Sequence, residues 1–147
     1  MNSYQDKTVL ITGASSGIGM EFARYHASKG GDVIVTARRE DTLNTLKAEL
    51  EQKHGVKVHV FALDLGADGG AKALYQQVKA AGLKVDILIN NAGITRVGDF
   101  LETSPEAFSS VMDVNFMGVV NGSRAFLPLL KASKGVLVNV SSLFGLV

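Results

Sequence analysis

Apolar residues along this chain follow two rhythms in alternation. Short runs at 8–12 (TVLIT), 33–35, 57–63, 85–89 and 136–140 are continuous or nearly so, the pattern of strands buried on both faces. Between them stand segments whose apolar positions recur three and four apart, the spacing of an amphipathic helix. Ile18, Phe22 and Tyr25 share such a stripe in 18–29, as do Leu43, Leu46 and Leu50 in 41–53, and a third helix is predicted over 67–81. Glycines follow each of these three, at Gly30, Gly55 and Gly82, as helix-terminating residues do. Ser104 followed by Pro105 is a strong helix start, a capping hydroxyl ahead of a proline at the first helical position. That fourth helix is predicted to run to about Lys131, with Pro128 tightening or kinking its end.

Strands alternating with helices pair in parallel through right-handed crossovers. The predicted fold is therefore α/β, a doubly wound parallel sheet of about five strands in the order 3-2-1-4-5. No linker or low-complexity segment interrupts it, so residues 1–147 are expected to form a single unit. Against the usual six-stranded form the sheet stops early, and the chain is expected to be C-terminally truncated. Strand 136–140 would then present an open edge, followed by the apolar tail Leu143-Phe144-Gly145-Leu146-Val147. Unpaired edges template association, so a homo-oligomer or edge-strand pairing is expected.

Composition narrows the chemistry. Fifteen basic and fourteen acidic residues leave a net charge of +1, with no electrostatic reason for nucleic acid or an anionic membrane as partner. The chain lacks cysteine, and His26, His54 and His59 have no ligand spacing, so no metal site is expected. With neither a secretory signal pattern at the N-terminus nor a membrane-length apolar run, a cytoplasmic setting is the expectation.

The first strand leads into Thr12-Gly13-Ala14-Ser15-Ser16-Gly17-Ile18-Gly19 and then a helix. Gly13 allows a tight turn out of the strand, Gly17 lets backbone N–H groups approach an anion, and Gly19 allows close helix packing. A pyrophosphate would sit at the helix N-terminus, where unpaired N–H groups and the helix dipole favour negative charge. The spacing is G-x-x-x-G-x-G, distinct from the general G-x-G-x-x-G fingerprint of dinucleotide sites.

Three further motifs follow in order: NNAG at 90–93, Asn115 among apolar neighbours in the long helix, and VNVSS at 138–142. Together with TGASSGIG at 12–19 they resemble the short-chain dehydrogenase/reductase family over essentially the whole chain. The resemblance implies a Rossmann-type fold, an NAD or NADP cofactor, and hydride transfer between a carbonyl and an alcohol. It places Gly13, Ser15, Ser16, Gly17, Ile18 and Gly19 around the cofactor phosphates. Asp64 with Leu65 would stand at the adenine, and Asn91, Ala92 and Gly93 along the cofactor. Asn115 would serve a proton relay through water. Ser142, aligned by the following Leu143-Phe144-Gly145, would hydrogen-bond the carbonyl or alcohol oxygen of the substrate, with Ser141 as the alternative assignment. Read from residue types alone, Asp64 also suits a helix cap, the NNAG segment a turn, and Asn115 a satisfied structural amide.

An NAD-selective site carries an acid about twenty residues past the glycine turn, where it holds the ribose 2′-hydroxyl. Here Ala37 stands in its place and Arg38 and Arg39 follow, guanidinium groups suited to the 2′-phosphate of NADP. NADP is therefore expected over NAD. The family pairs its serine with a following Tyr-x-x-x-Lys, but tyrosine occurs only at 4, 25 and 75. Tyr25 and Lys29 have the spacing on the wrong helix. The expectation is an NADP-dependent oxidoreductase of small-molecule carbonyls or alcohols whose present chain is inactive alone. The alternative is a non-catalytic dinucleotide-binding module or truncated fragment.

Overall fold

The computed structural model describes residues 4–142. Its strands are β1 (Thr8–Thr12), β2 (Asp32–Ala37), β3 (Val58–Ala62), β4 (Ile87–Asn90) and β5 (Val136–Asn139). All pair in parallel, in the order β3-β2-β1-β4-β5, as the alternating pattern predicts. The helices are α1 (Gly17–Ser28), α2 (Glu40–His54), α3 (Gly70–Ala80), α4 (Pro105–Met112) and α5 (Gly118–Ser133).

Side chains along a strand point alternately to the two faces, so each central strand feeds two cores. Val9, Ile11, Val33 and Val35 pack with Ala23 and Ala27 of α1 and with Leu43, Leu46 and Leu50 of α2. Leu10, Ile34 and Leu88 face the other way, onto Leu74 and Val78 of α3 and Phe126 and Leu130 of α5. Double burial explains why β1 and β2 read as continuous apolar runs. β5 is an edge among the described residues, with Val136 and Leu137 exposed; the apolar tail 143–147 lies outside them.

Two helix boundaries differ from the sequence expectation. The third helix starts at Gly70 rather than Ala67, because Gly70 N–H donates to the Ala67 carbonyl at 3.1 Å and Gly69 takes a left-handed conformation at φ 71°. The predicted helix 104–131 is interrupted by a π-helical turn, Asp113–Met117, then runs to Ser133 with Pro128 inside it. The Ser104 cap forms as expected, its hydroxyl accepting from Ala107 N–H at 3.3 Å.

At the edge where the strands begin, buried Asp86 accepts a hydrogen bond from Thr8 N–H at 2.8 Å and faces Lys7 and Lys84 at 3.6 and 3.4 Å. Nearby His26 is buried against Tyr4, its Nε2 at 3.1 Å from the Lys7 carbonyl. Burial holds the His26 pKa below its ordinary 6.5, and burial lowers that of His59 in the same way. A histidine kept neutral in the folded state charges first in the unfolded chain, which then binds more protons. Stability should therefore be complete above the ordinary value and fall as pH drops through it. The midpoint of urea unfolding should decrease between about pH 7.5 and about pH 5.5, a window in which ordinary carboxylates stay ionised. An increase would contradict this reading.

Candidate cofactor site

The carboxyl ends of β1 and β4 meet where the chain reverses its order along the sheet, the place at which open α/β sheets bind ligands. A groove of about 520 Å³ lies there, within the roughly 300–1,000 Å³ usual for small-molecule sites. The turn after β1 forms one wall. Gly13 adopts φ +68°, and a Cβ on it would come within 2.7 Å of Ala92 Cα. At Gly19 a Cβ would stand 2.4 Å from Asn91 Nδ2 and 2.5 Å from the Gly13 carbonyl oxygen. The close approach expected at Gly19 is thus made to the turn itself and to Asn91. Gly17, at φ +54°, faces open space.

Thr12 and Asn91 lock this wall to β4. The Thr12 hydroxyl accepts from Asn91 and Ala92 N–H, both at 2.9 Å. Asn91 Nδ2 donates back to the carbonyls of Thr12 and Gly13 at 3.0 and 3.3 Å. The NNAG segment is therefore a brace that uses its side chains to hold the glycine turn, and Ala92 and Gly93 present backbone to the groove. Asn90, buried, donates to Ser123 Oγ at 2.9 Å and Asn139 Oδ1 at 2.8 Å, tying β4 to α5 and β5.

Ser16 caps α1 in an extended conformation without a side-chain hydrogen bond. The first N–H groups of a helix have no intrahelical acceptor, so the α1 N-terminus offers donors and dipole to an anion. Ser15 and Ser16 line the groove; Gly17 and Ile18 stand exposed beside it, and Gly19 is buried behind.

The two arginines separate. Arg39 Nη2 donates to the Ser15 carbonyl at 3.2 Å and to its hydroxyl at 3.3 Å, closing the turn from the side of β2. Arg38 is exposed on the groove and has no hydrogen-bond or ion-pair partner among the described residues. Ala37 lines the groove beside it and brings no carboxylate of its own.

Asp64 and Leu65 also line the groove. Asp64 does not cap α3; its Oδ1 accepts Gly66 N–H at 2.9 Å, shaping a turn. A Cβ on Gly66 would fall 2.6 Å from Val114 Cγ2, so this turn closes against the π-helical segment. Asn115 sits at the centre of that segment, a geometry over-represented at functional sites. Its Oδ1 accepts from Ile94 N–H and its Nδ2 donates to the Ile94 carbonyl, each at 2.8 Å. The side chain thereby clamps the stretch just beyond Gly93. Asn115 is adjacent to the groove through Ile94 but does not line it, and neither does Ser142, exposed just beyond β5.

Thr36, Leu63, Gly66, Ile94 and Val114 also line the groove, and nothing in their residue types marks them for it. Thr12 heads the glycine turn in the sequence, and a hydroxyl closing an apolar strand is a readable signal for a side chain that braces a neighbouring loop. The Tyr25–Lys29 pair sits at the far end of α1, with Lys29 Nζ 5.3 Å from the Tyr25 ring centre, away from the groove. Among the described residues no three His, Asp or Glu side chains cluster to hold a metal, and no helix is long and apolar enough to cross a membrane.

Residues 7–147 match the family model of the short chain dehydrogenases. The chain is 38% identical over 142 residues to the probable oxidoreductase EphD of Mycobacterium tuberculosis, covering 95% of this chain and 24% of that protein. It is 34% identical to the 3-oxoacyl-[acyl-carrier-protein] reductase FabG of Chlamydia muridarum, covering 96% of this chain and 57% of the relative. L-sorbose reductase from Gluconobacter frateurii, solved with NADPH and L-sorbose, superposes with a TM-score of 0.93 at 29% identity, over 99% of this chain and 56% of that one. The chain thus spans from 24% to 57% of the length of these three proteins.

Proposed function

This chain belongs to the short-chain dehydrogenase family, and on that premise we propose that residues 1–147 are the NADP(H)-holding unit of a cytoplasmic oxidoreductase that interconverts small-molecule carbonyls and alcohols. The observation that carries the choice of NADP is the division of labour between the arginines: Arg39 is committed to Ser15, while Arg38 is exposed on the groove beside Ala37. Arg38 meets the 2′-phosphate, and the α1 N-terminus with Ser15 and Ser16 meets the pyrophosphate. Asp64 and Leu65 border the adenine, and Asn91, Ala92 and Gly93 form the bed of the dinucleotide. A solved relative that carries NADPH supports the same reading.

When bound, the nicotinamide supplies or accepts the hydride. Ser142 donates a hydrogen bond to the substrate oxygen, where negative charge gathers as the carbonyl is reduced. Asn115 holds Ile94 and so the wall of the groove, and the proton relay through water that the family resemblance assigns to it is part of this reading. These residues include no tyrosine near Ser142 to act as proton donor. Loss of a positioned general acid costs a factor of roughly 10²–10⁴ in rate. The 147-residue chain should accordingly bind NADPH without measurable reduction of a panel of ketones and aldehydes.

Fluorescence titration tests the assignment. Arg38→Ala should weaken NADPH binding by about tenfold to hundredfold, the worth of one charge-assisted contact, and leave NADH nearly unchanged. Equal losses for the two cofactors would sink the NADP reading. Turnover by the chain alone would sink the non-catalytic one.

A further inference from the structure

Near its carboxyl end β2 carries a hydroxyl that the fold leaves unpaired. Val33, Ile34 and Val35 are fully buried, and a valine at the next position would continue the run. Thr36 stands there instead, 0% exposed. A threonine near a strand end is ordinary in a sequence; its surroundings are not. The Thr36 carbonyl accepts from Gly13 N–H at 2.9 Å and Ala14 N–H at 3.3 Å, but its side chain has no such use. Among the described residues Thr36 Oγ1 is the only buried side-chain nitrogen or oxygen without a hydrogen-bond partner. Thr12, paired with it across β1, shows the contrast, since that hydroxyl accepts from Asn91 and Ala92 N–H. Burying an unpaired hydroxyl destabilises a fold, and a single exception calls for a reason.

Its place supplies one. Ile34, two residues earlier, packs with the α3 and α5 side chains, so Thr36 lies on that side of the sheet, where Leu63 and Leu65 also pack. The glycine turn flanks it through Gly13, and the loop after β3 flanks it through Leu63 N–H, which donates to the Ala37 carbonyl at 3.1 Å. Both flanks line the cofactor groove, and Thr36 lines it between them. A water held at this point would need two to four polar partners. A ligand already held by the rest of the groove needs only this one.

We propose that Thr36 Oγ1 is a binding group of the groove, completed by a polar atom of the adenosine half of the dinucleotide. The adenosine half is the part that comes to it, because Arg38 and Asp64, assigned above to the 2′-phosphate and the adenine, border the same stretch of groove. The inference rests on the groove being the dinucleotide site. It adds that the chain gives up stability without ligand for affinity with it, since the hydroxyl is a cost until the cofactor arrives.

Two variants test this. Thr36→Val keeps the shape and removes the hydroxyl, and Thr36→Ser keeps the hydroxyl and removes a methyl group. Titrations with NADPH, NADH and adenosine 2′,5′-bisphosphate, which has no nicotinamide half, read binding; urea unfolding of the ligand-free protein reads stability. Thr36→Val should weaken all three ligands by about tenfold, unlike Arg38→Ala, which separates NADPH from NADH. It should also raise the ligand-free urea midpoint. Thr36→Ser should bind close to wild type. Opposite signs in binding and stability are the signature, because a damaged core would lower both. Unchanged binding by Thr36→Val would overturn the inference, as would a Thr36→Ser protein that binds as weakly. A lower ligand-free midpoint for Thr36→Val would overturn it by showing that the hydroxyl is satisfied without ligand. Losses for NADPH and NADH but not for the bisphosphate would overturn the assignment to the adenosine half. A wild-type chain that binds none of the three would overturn the dinucleotide reading itself and this inference with it.

Discussion

Gly19→Val is expected to abolish useful NADPH binding while leaving a folded protein. The new side chain has nowhere to go: its Cβ alone would lie 2.4 Å from Asn91 Nδ2 and 2.5 Å from the Gly13 carbonyl oxygen. Neither partner is a flexible chain end. Asn91 Nδ2 is the donor that holds the Thr12 and Gly13 carbonyls, and the carbonyl oxygen is backbone. Relief must come from moving the first turn of α1 away from the glycine loop, which takes the helix N-terminus off the site proposed for the pyrophosphate. Overpacking of this kind costs about 1–3 kcal/mol of stability. The loss of binding should be larger in its consequence, at least about hundredfold in Kd, or roughly 2.7 kcal/mol. Fluorescence titration with NADPH measures the second and urea unfolding the first. A variant that binds as wild type does would mean that the α1 N-terminus does not hold the cofactor.

Phe126→Ala should do the reverse, costing the fold much and the intact site little. Phe126 is 1% exposed, packed edge-on against Tyr75 of α3 at 5.7 Å between ring centres, and shares the core of that face with Leu74, Val78 and Leu88. Truncating a buried phenylalanine costs about 3–5 kcal/mol, a large part of the roughly 5–15 kcal/mol available to a domain. The urea midpoint should fall accordingly. Because the groove is lined by other residues, NADPH at about a hundred times its Kd should return about 2.7 kcal/mol to this variant through linkage. It should return nothing comparable to Gly19→Val. A Phe126→Ala protein that unfolds at the wild-type midpoint would contradict the packing described for α5.

The contrast between these two positions reflects what could be read before folding. Gly13, Gly17 and Gly19 were identifiable because a turn that receives an anion needs backbone without Cβ atoms at set spacings. Arg38 and Arg39 are legible by their place at the end of a strand, where a parallel sheet collects its ligand-binding loops, whereas the roles of Asp64 and of Asn91, Ala92 and Gly93 come from the family resemblance. Sequence does not separate the two arginines. Both are long, charged and adjacent, and only the position of Ser15 across the turn shows that Arg39 braces the loop while Arg38 faces the groove. Val114, Gly66 and Ile94 gave no signal, since each joins the groove through a neighbour far away in the chain.

Local pattern determined what depends on near neighbours: the alternation of strands and helices, their parallel pairing, the order of the sheet and the glycine turn. Periodicity and backbone sterics act over a few residues, and the crossover rule leaves few ways to arrange the rest. Tertiary structure alone decided what depends on distant groups meeting. It interrupted the predicted helix with a π-turn, which a regular helical period does not encode, and set Asn115 in it, where its amide clamps Ile94 twenty-one residues back. It made Thr12 and Asn91 into reciprocal braces across seventy-nine residues of chain. It also left one side of the α4–α5 rod uncovered, because whether an apolar side chain is buried is settled by what packs on it and not by its own hydropathy.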